Sequence, residues 1–257
     1  MKASLFVTCI VDQFYPKIGE STFGILNRLG IEVDFPKCQA CCGQPMFNSG
    51  YWNDSKPLAK KFLQDFSDSE YIVLPSGSCA AMVSKFYAEI LKDEDAALRE
   101  WEQISPRIFE LSDFIFNVLK IDDLNQFVSP NSPAGVLKIA YHQACHALRE
   151  LNILNQPLTL LGSLPNVELV NFDQEDVCCG FGGTFSVKFP EISGAMLSDK
   201  IDALRNSKAE ILTSVDSSCL MHIRGGIEKA GAKIKVLHFA EILHDRLGRN
   251  KSTNELS

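Results

Sequence analysis

The chain has 257 residues, of which 46% are hydrophobic and 22% charged, with a formal net charge of −7 at pH 7. That balance suits a soluble protein with a real core and excludes a nucleic-acid surface as the main function, since phosphate binding needs a basic face. No run approaches the roughly eighteen apolar residues of a membrane-spanning helix, and residues 1–9 are too short for a secretory signal, so a cytoplasmic location is expected.

Leu5-Phe6-Val7-Thr8 reads as a buried strand running into Cys9. A helical pattern follows through Ile18, Ile25, Leu26 and Leu29, with Gly30 as its C-terminal stop. Residues 31–35 alternate with period two and form a strand ended by Pro36. After a cysteine-bearing loop, Asn53-Asp54-Ser55 opens a helix through Phe66. Tyr71 to Leu74 is a strand, and Pro75-Ser76-Gly77-Ser78-Cys79 turns it into a helix through Leu91. Residues 93–119 read as helical, broken at Ser105-Pro106, with Glu94, Asp95, Glu100 and Glu102 on a solvated face.

Residues 129–135 form the clearest linker, and then the plan restarts. Leu137 to Tyr141 is a strand entering Cys145, Leu148 to Leu161 a helix, and Val167 to Phe172 a strand. A helix through Ile192, Met196 and Ile201 follows, then the strand Ile211-Leu212-Thr213, a helix beyond Cys219 and a short last element opened by Val236-Leu237. The expected architecture is α/β: two duplicated units at 1–128 and 136–247, each a mostly parallel sheet flanked by helices, and a polar tail at 248–257.

The duplication is sharpest in the cysteines. Eight of nine fall into two sets, Cys9, Cys41, Cys42, Cys79 and Cys145, Cys178, Cys179, Cys219. The offsets between sets are 136, 137, 137 and 140, and Ser49/Ser186 and Ser78/Ser218 keep the same register. Each cysteine stands just past a strand, so three loops bring four thiols to one edge of each sheet, where open parallel sheets bind ligands. In a reducing compartment such thiols read as metal ligands or redox groups rather than structural disulfides.

Four thiolates suit an iron–sulfur cluster or zinc, while thiol–disulfide chemistry at Cys41-Cys42 or Cys178-Cys179 is a further reading. Adjacent cysteines fit two neighbouring irons better than one relaxed tetrahedral zinc. Gly43 and Gly180 let the backbone pass close behind a bulky centre. His142, His146 and His222 lie near the second set, as hydrogen-bonding neighbours more readily than as ligands. Cys38 has no counterpart; it is either a fifth ligand or a free thiol. Gly180-Phe181-Gly182-Gly183 lacks the Lys-Ser/Thr of a phosphate loop and reads as packing around the centre. No flavin or nicotinamide fingerprint is present.

The repeated C…CCG…C pattern resembles the cysteine-rich CCG domain found in heterodisulfide reductases and in the iron–sulfur component of glycolate oxidases. With Cys41-Cys42-Gly43-Gln44-Pro45, Asn48-Ser49-Gly50-Tyr51, Pro75-Ser76-Gly77-Ser78-Cys79 and Cys178-Cys179-Gly180-Phe181-Gly182-Gly183-Thr184-Phe185-Ser186, the chain most resembles the lactate utilization protein A group. The resemblance implies an oxidoreductase component, active with partner subunits that include iron–sulfur proteins, in a system that oxidises L-lactate to pyruvate. It implies an iron–sulfur cluster, [4Fe-4S] in type, in at least one half, with zinc possible in the other. In the heterodisulfide reductase branch a C-x-x-C supplies a fifth thiol for a noncubane cluster. Here that position is Ser76 in one half and Asp216 in the other, leaving four thiols, enough for a cubane or zinc.

Overall fold

The computed structural model describes residues 1–130, 132 and 135–248. The tail expected at 248–257 therefore lies outside the described residues apart from Gly248, as does part of the linker. The described chain forms two four-stranded, wholly parallel sheets. The first contains β1 (Lys2–Leu5), β2 (Glu32–Asp34), β3 (Tyr71–Leu74) and β4 (Ile108–Glu110), in the order β2-β1-β3-β4. The second contains β5 (Leu137–Tyr141), β6 (Val167–Leu169), β7 (Ile211–Thr213) and β8 (Lys235–Val236), in the order β6-β5-β7-β8. The α/β class and the duplication expected from the sequence are both observed.

The registers make the duplication quantitative. Leu5 pairs with Val73 as Tyr141 pairs with Thr213, and Ala3 with Val33 as Ile139 with Leu169. Just beyond the strands, Phe6 N–H donates to Val73 O at 3.0 Å and His142 N–H to Thr213 O at 2.8 Å. Phe6 and His142 are thus equivalent positions. In each sheet the order reverses between the first and third strands of the unit, and the carboxyl ends at such a switch point form a crevice. Cys9 and Cys79 flank that crevice in one unit, Cys145 and Cys219 in the other.

Central strands are short apolar runs because both faces are covered: Ile72, Val73 and Leu74 are fully buried, as are Ile139 and Ala140. Helix Phe239–Leu247 of the second unit packs against helix Pro16–Arg28 of the first, with His244 against Gly24. One continuous core joins Ile25 and Leu26 of the first unit to Leu212 and Leu243 of the second.

Several expectations are corrected. Strand β1 lies at Lys2–Leu5, not Leu5–Thr8, and β6 stops at Leu169 rather than Phe172. Residues 108–110, expected within a helix, are the edge strand β4, too short for alternation to show in the sequence. The helix expected from Leu148 to Leu161 is two, Cys145–Leu151 and Asn155–Gly162, because Asn152 adopts the left-handed conformation at φ 56°. The helix expected through Leu91 is continuous but contains a π-helical stretch at Met82–Phe86, after which the Tyr87 hydroxyl donates to Cys42 O at 2.9 Å.

At the end of β4, Glu110 is buried, and desolvation lifts its carboxyl to about 8 against hydrogen bonds from Ser112. The folded chain therefore keeps a proton that the unfolded chain releases near the ordinary carboxylate value. The stability this contributes is fully present below about pH 4.3 and is lost as pH rises through 8, by up to ~1.4 kcal/mol per unit. Glu110→Gln keeps an oxygen for Ser112 and removes the titration. Its urea midpoint should gain on the parent's as pH goes from 5 to 8; a pH-independent difference would show that the carboxyl is not held neutral.

Candidate metal centre

Both cysteine sets line one cavity, of about 790 Å³ with its open mouth included. Cys9, Cys41, Cys42 and Cys79 form one side, and Cys145, Cys178, Cys179 and Cys219 the other. Each set was expected at its own sheet edge; the structure also turns the two edges toward each other. The ninth cysteine, Cys38, is exposed, has φ 62°, and does not line the cavity.

In the first set, the Cys9 and Cys41 sulfurs are 3.6 Å apart and those of Cys42 and Cys79 3.3 Å. Bonds of about 2.3 Å to one metal would put two thiolates roughly 3.8 Å apart, so these pairs already stand at ligand spacing. Backbone N–H groups support one sulfur in each motif: Gly43 donates to Cys41 at 3.5 Å and Gly180 to Cys178 at 3.4 Å. Hydrogen bonds accepted from Cys42 and Cys9 hold the Cys41 thiol down to about 3. Those accepted from Cys145 and Cys179 hold Cys178 down to about 2. Their neighbours Cys9, Cys42, Cys145 and Cys179 are pushed up by the same hydrogen bonds and by burial. A metal ion bound at either set would displace the protons of those raised thiols. Converged soft donors beside open volume fit a thiolate-held metal centre.

Local folding fixes these thiols from their own helix ends. Cys9 and Cys145 begin the helices Cys9–Phe14 and Cys145–Leu151. Cys79 and Cys219 lie in the first turns of Gly77–Ala81 and Ser217–Lys229, capped by Ser76 and Asp216. The side chains where a related branch has a fifth thiol are therefore helix caps. They also meet across the units: the buried Asp216 carboxylate accepts from Ser78 N–H at 2.7 Å and Ser76 Oγ–H at 3.4 Å, and Gly77 N–H donates to Val215 O at 3.1 Å. Burial opposes the Asp216 charge, but donors from Ser218, Ser78 and Cys219 outweigh it and hold its pKa below the usual value.

The motif glycines act differently than expected. Gly43 and Gly180 are needed for positive φ, 85° and 87°, and a Cβ on Gly180 would meet Ser193 O at 2.9 Å. The bare face of Gly180 therefore admits the following helix rather than the metal, whereas Gly43 faces Ser55 and Leu58 at ordinary contact distance. The hydroxyls of Ser55 and Ser193 donate to Gly43 O at 3.2 Å and Gly180 O at 2.8 Å, fixing each loop to that helix. Gly182 and Gly183, by contrast, line the cavity.

The three histidines differ. His146 Nδ1 lies 3.6 Å from Cys145 Sγ, and His222 Nε2 3.3 Å from Ser193 Oγ. His142 is wholly buried behind Cys179 and Cys219. Lys200 escaped sequence reading, because a lysine on a helix reads as solvent-facing. It is fully buried, and its ammonium donates to Gln174 O and Val177 O of the second motif loop, the latter at 2.6 Å. Beside that motif Phe189, Val187 and Ile192 are exposed, whereas Phe181 packs against the core.

The profile of the CCG cysteine-rich domain matches residues 3–84 and 139–224. Over 246 residues the chain is 42% identical to lactate utilization protein A of Bacillus licheniformis, covering 96% of this chain and all of that one. The chain belongs to the lactate utilization protein A family. Over the same length and coverage it is 43% identical to lactate utilization protein A of Geobacillus thermodenitrificans. Lactate utilization protein A 2 of Bacillus cereus is 41% identical over 249 residues, 97% of this chain and all of that one. Among solved structures, a glutamate racemase of Francisella tularensis aligns over 94% of this chain and 77% of its own at a TM-score of 0.39 and 12% identity, too distant to carry an argument.

Proposed function

We propose that this chain is an iron–sulfur electron-transfer subunit of a system that oxidises L-lactate to pyruvate. Family membership supports a role in lactate utilization, and the observation that carries the finer reading is the convergence of two four-thiol sets on one cavity. In this reading Cys9, Cys41, Cys42 and Cys79 hold one metal centre and Cys145, Cys178, Cys179 and Cys219 a second, in CCG-type units at 1–128 and 136–247. An iron–sulfur cluster bound there supplies single-electron uptake and release. The chain's own residues do the holding: Gly43 and Gly180 N–H groups stabilise sulfur charge, and the Ser76 and Asp216 caps fix the Cys79 and Cys219 helices.

The sequence carries no flavin or nicotinamide fingerprint, and in this reading oxidation of the substrate falls to a partner that supplies the hydride-accepting cofactor. The apolar face of Val187, Phe189 and Ile192 beside the second motif supports a surface that another subunit covers. Nine unpaired cysteines support a reducing, cytoplasmic setting. Among the described residues no helix is long and apolar enough to cross a membrane.

Anaerobic purification with iron, sulfide and zinc analysis tests the cofactor. Equal iron and acid-labile sulfide is the expected result; zinc alone would favour a structural or assembly subunit, and no metal a thiol–disulfide reductase. The purified chain should form no pyruvate from lactate with soluble acceptors, and should do so only when its partner subunits are added. Pyruvate from this chain alone, free of any flavoprotein, would overturn the carrier assignment.

A further inference from the structure

We propose that His142 is a metal ligand of the second unit, so that the two units hold their metals with different donor sets: thiolates alone in the first, thiolates plus one imidazole in the second. The inference rests on the reading of the cysteines as ligands given above. A ring nitrogen of His142 and the sulfurs of Cys179 and Cys219 lie within 4.8 Å of one another, and all three residues are buried. An imidazole and a thiolate on one tetrahedral metal, bonded at about 2.0 and 2.3 Å, stand roughly 3.5 Å apart, within reach by a small adjustment.

The hydrogen bonding of the ring selects the nitrogen. His142 Nδ1 lies 3.1 Å from Glu175 O, and a carbonyl oxygen only accepts, so Nδ1 carries the proton and Nε2 the lone pair. A backbone carbonyl on the far nitrogen is how metal-bound histidines are usually oriented. Nε2 itself is buried and has no hydrogen-bond partner among protein atoms, a costly state unless something binds it.

Comparison with the first unit removes a packing explanation. The equivalent position is Phe6, whose ring packs edge-on against Phe62 and Phe66 at 5.2 and 5.4 Å. An apolar ring therefore serves the fold at this position, and the second unit carries an imidazole with a bare nitrogen instead. His146 and His222 are only partly buried, and each has a neighbour for the nitrogen it turns inward.

Cobalt(II), a paramagnetic stand-in for zinc or iron, tests this on the whole chain. Metal-free protein with natural or ¹⁵N-labelled histidine is loaded anaerobically and studied by pulsed electron paramagnetic resonance. A strong nitrogen coupling should appear on part of the bound cobalt and change with the ¹⁵N label. It should vanish in His142→Phe and persist in His146→Gln and His222→Gln. His142→Phe should weaken one class of bound cobalt at least tenfold and leave the other unchanged. Absence of strong nitrogen coupling in the unmodified chain, which needs no variant to fold, would overturn the proposal, as would its persistence in His142→Phe. If instead Cys178→Ser leaves cobalt uptake and its thiolate absorption untouched, the thiolate reading fails first and takes the proposal with it.

Discussion

Cys219→Ser should empty the second metal centre, lowering the metal content of the anaerobically purified chain by about half, while Cys38→Ser leaves it within error of the parent. Cys219 is buried in the first turn of a helix whose Asp216 cap holds its backbone N–H, which places its side chain at the cavity. A serine hydroxyl at that point is a hard, protonated donor that replaces a thiolate poorly. Metal binding is folding free energy in such sites, so the variant should also unfold at lower temperature than the loaded parent. Cys42→Ser should do the same to the first centre, since Cys42 is buried 3.3 Å from Cys79. Cys38 is exposed and outside the cavity, and contributes to neither. Inductively coupled plasma analysis with sulfide titration reads all three. Loss of metal in Cys38→Ser matching that in Cys42→Ser would make Cys38 a ligand.

What was legible in the sequence was whatever repeats or alternates. Tyr71–Leu74, Leu137–Tyr141 and Ile211–Thr213 could be read residue for residue, because a buried parallel strand is a short apolar run bounded by turn residues. The grouping of the thiols was legible from their spacing, since each follows a strand and the carboxyl ends of parallel strands share one edge. The facing of the two edges was not. It depends on the Gly77–Val215 and Ser78–Asp216 hydrogen bonds and on helix Phe239–Leu247 lying across helix Pro16–Arg28, contacts between distant segments with no periodic signature. Edge strand β4 was hidden for another reason: three residues cannot display alternation, and the polar Glu110 at its end reads as exposed unless its protonation is known. Lys200 and His142 were hidden likewise, because a buried polar side chain differs from a surface one only in its partners.

Asp216→Ala should destabilise both units at once, because one buried carboxylate serves them both. It caps the Cys219 helix through Ser218 and Cys219 N–H groups, at 3.1 and 3.4 Å, and it accepts Ser78 N–H of the opposite unit at 2.7 Å. Alanine removes the cap, worth about 1 kcal/mol, and the charge-assisted hydrogen bond from the half-buried Ser78 N–H, worth about 1–3 kcal/mol more. The expected loss is therefore roughly 2–4 kcal/mol in urea unfolding of the metal-free chain. Asp216→Asn keeps an acceptor oxygen for one of these donors and should lose less, about half as much. Because Ser78 precedes Cys79 as Ser218 precedes Cys219, the alanine variant should also weaken metal binding in both units, whereas Cys219→Ser weakens it in one. If Asp216→Ala lowers the metal content of the second unit alone, with no change in stability beyond a lost cap, the carboxylate does not tie the two units together.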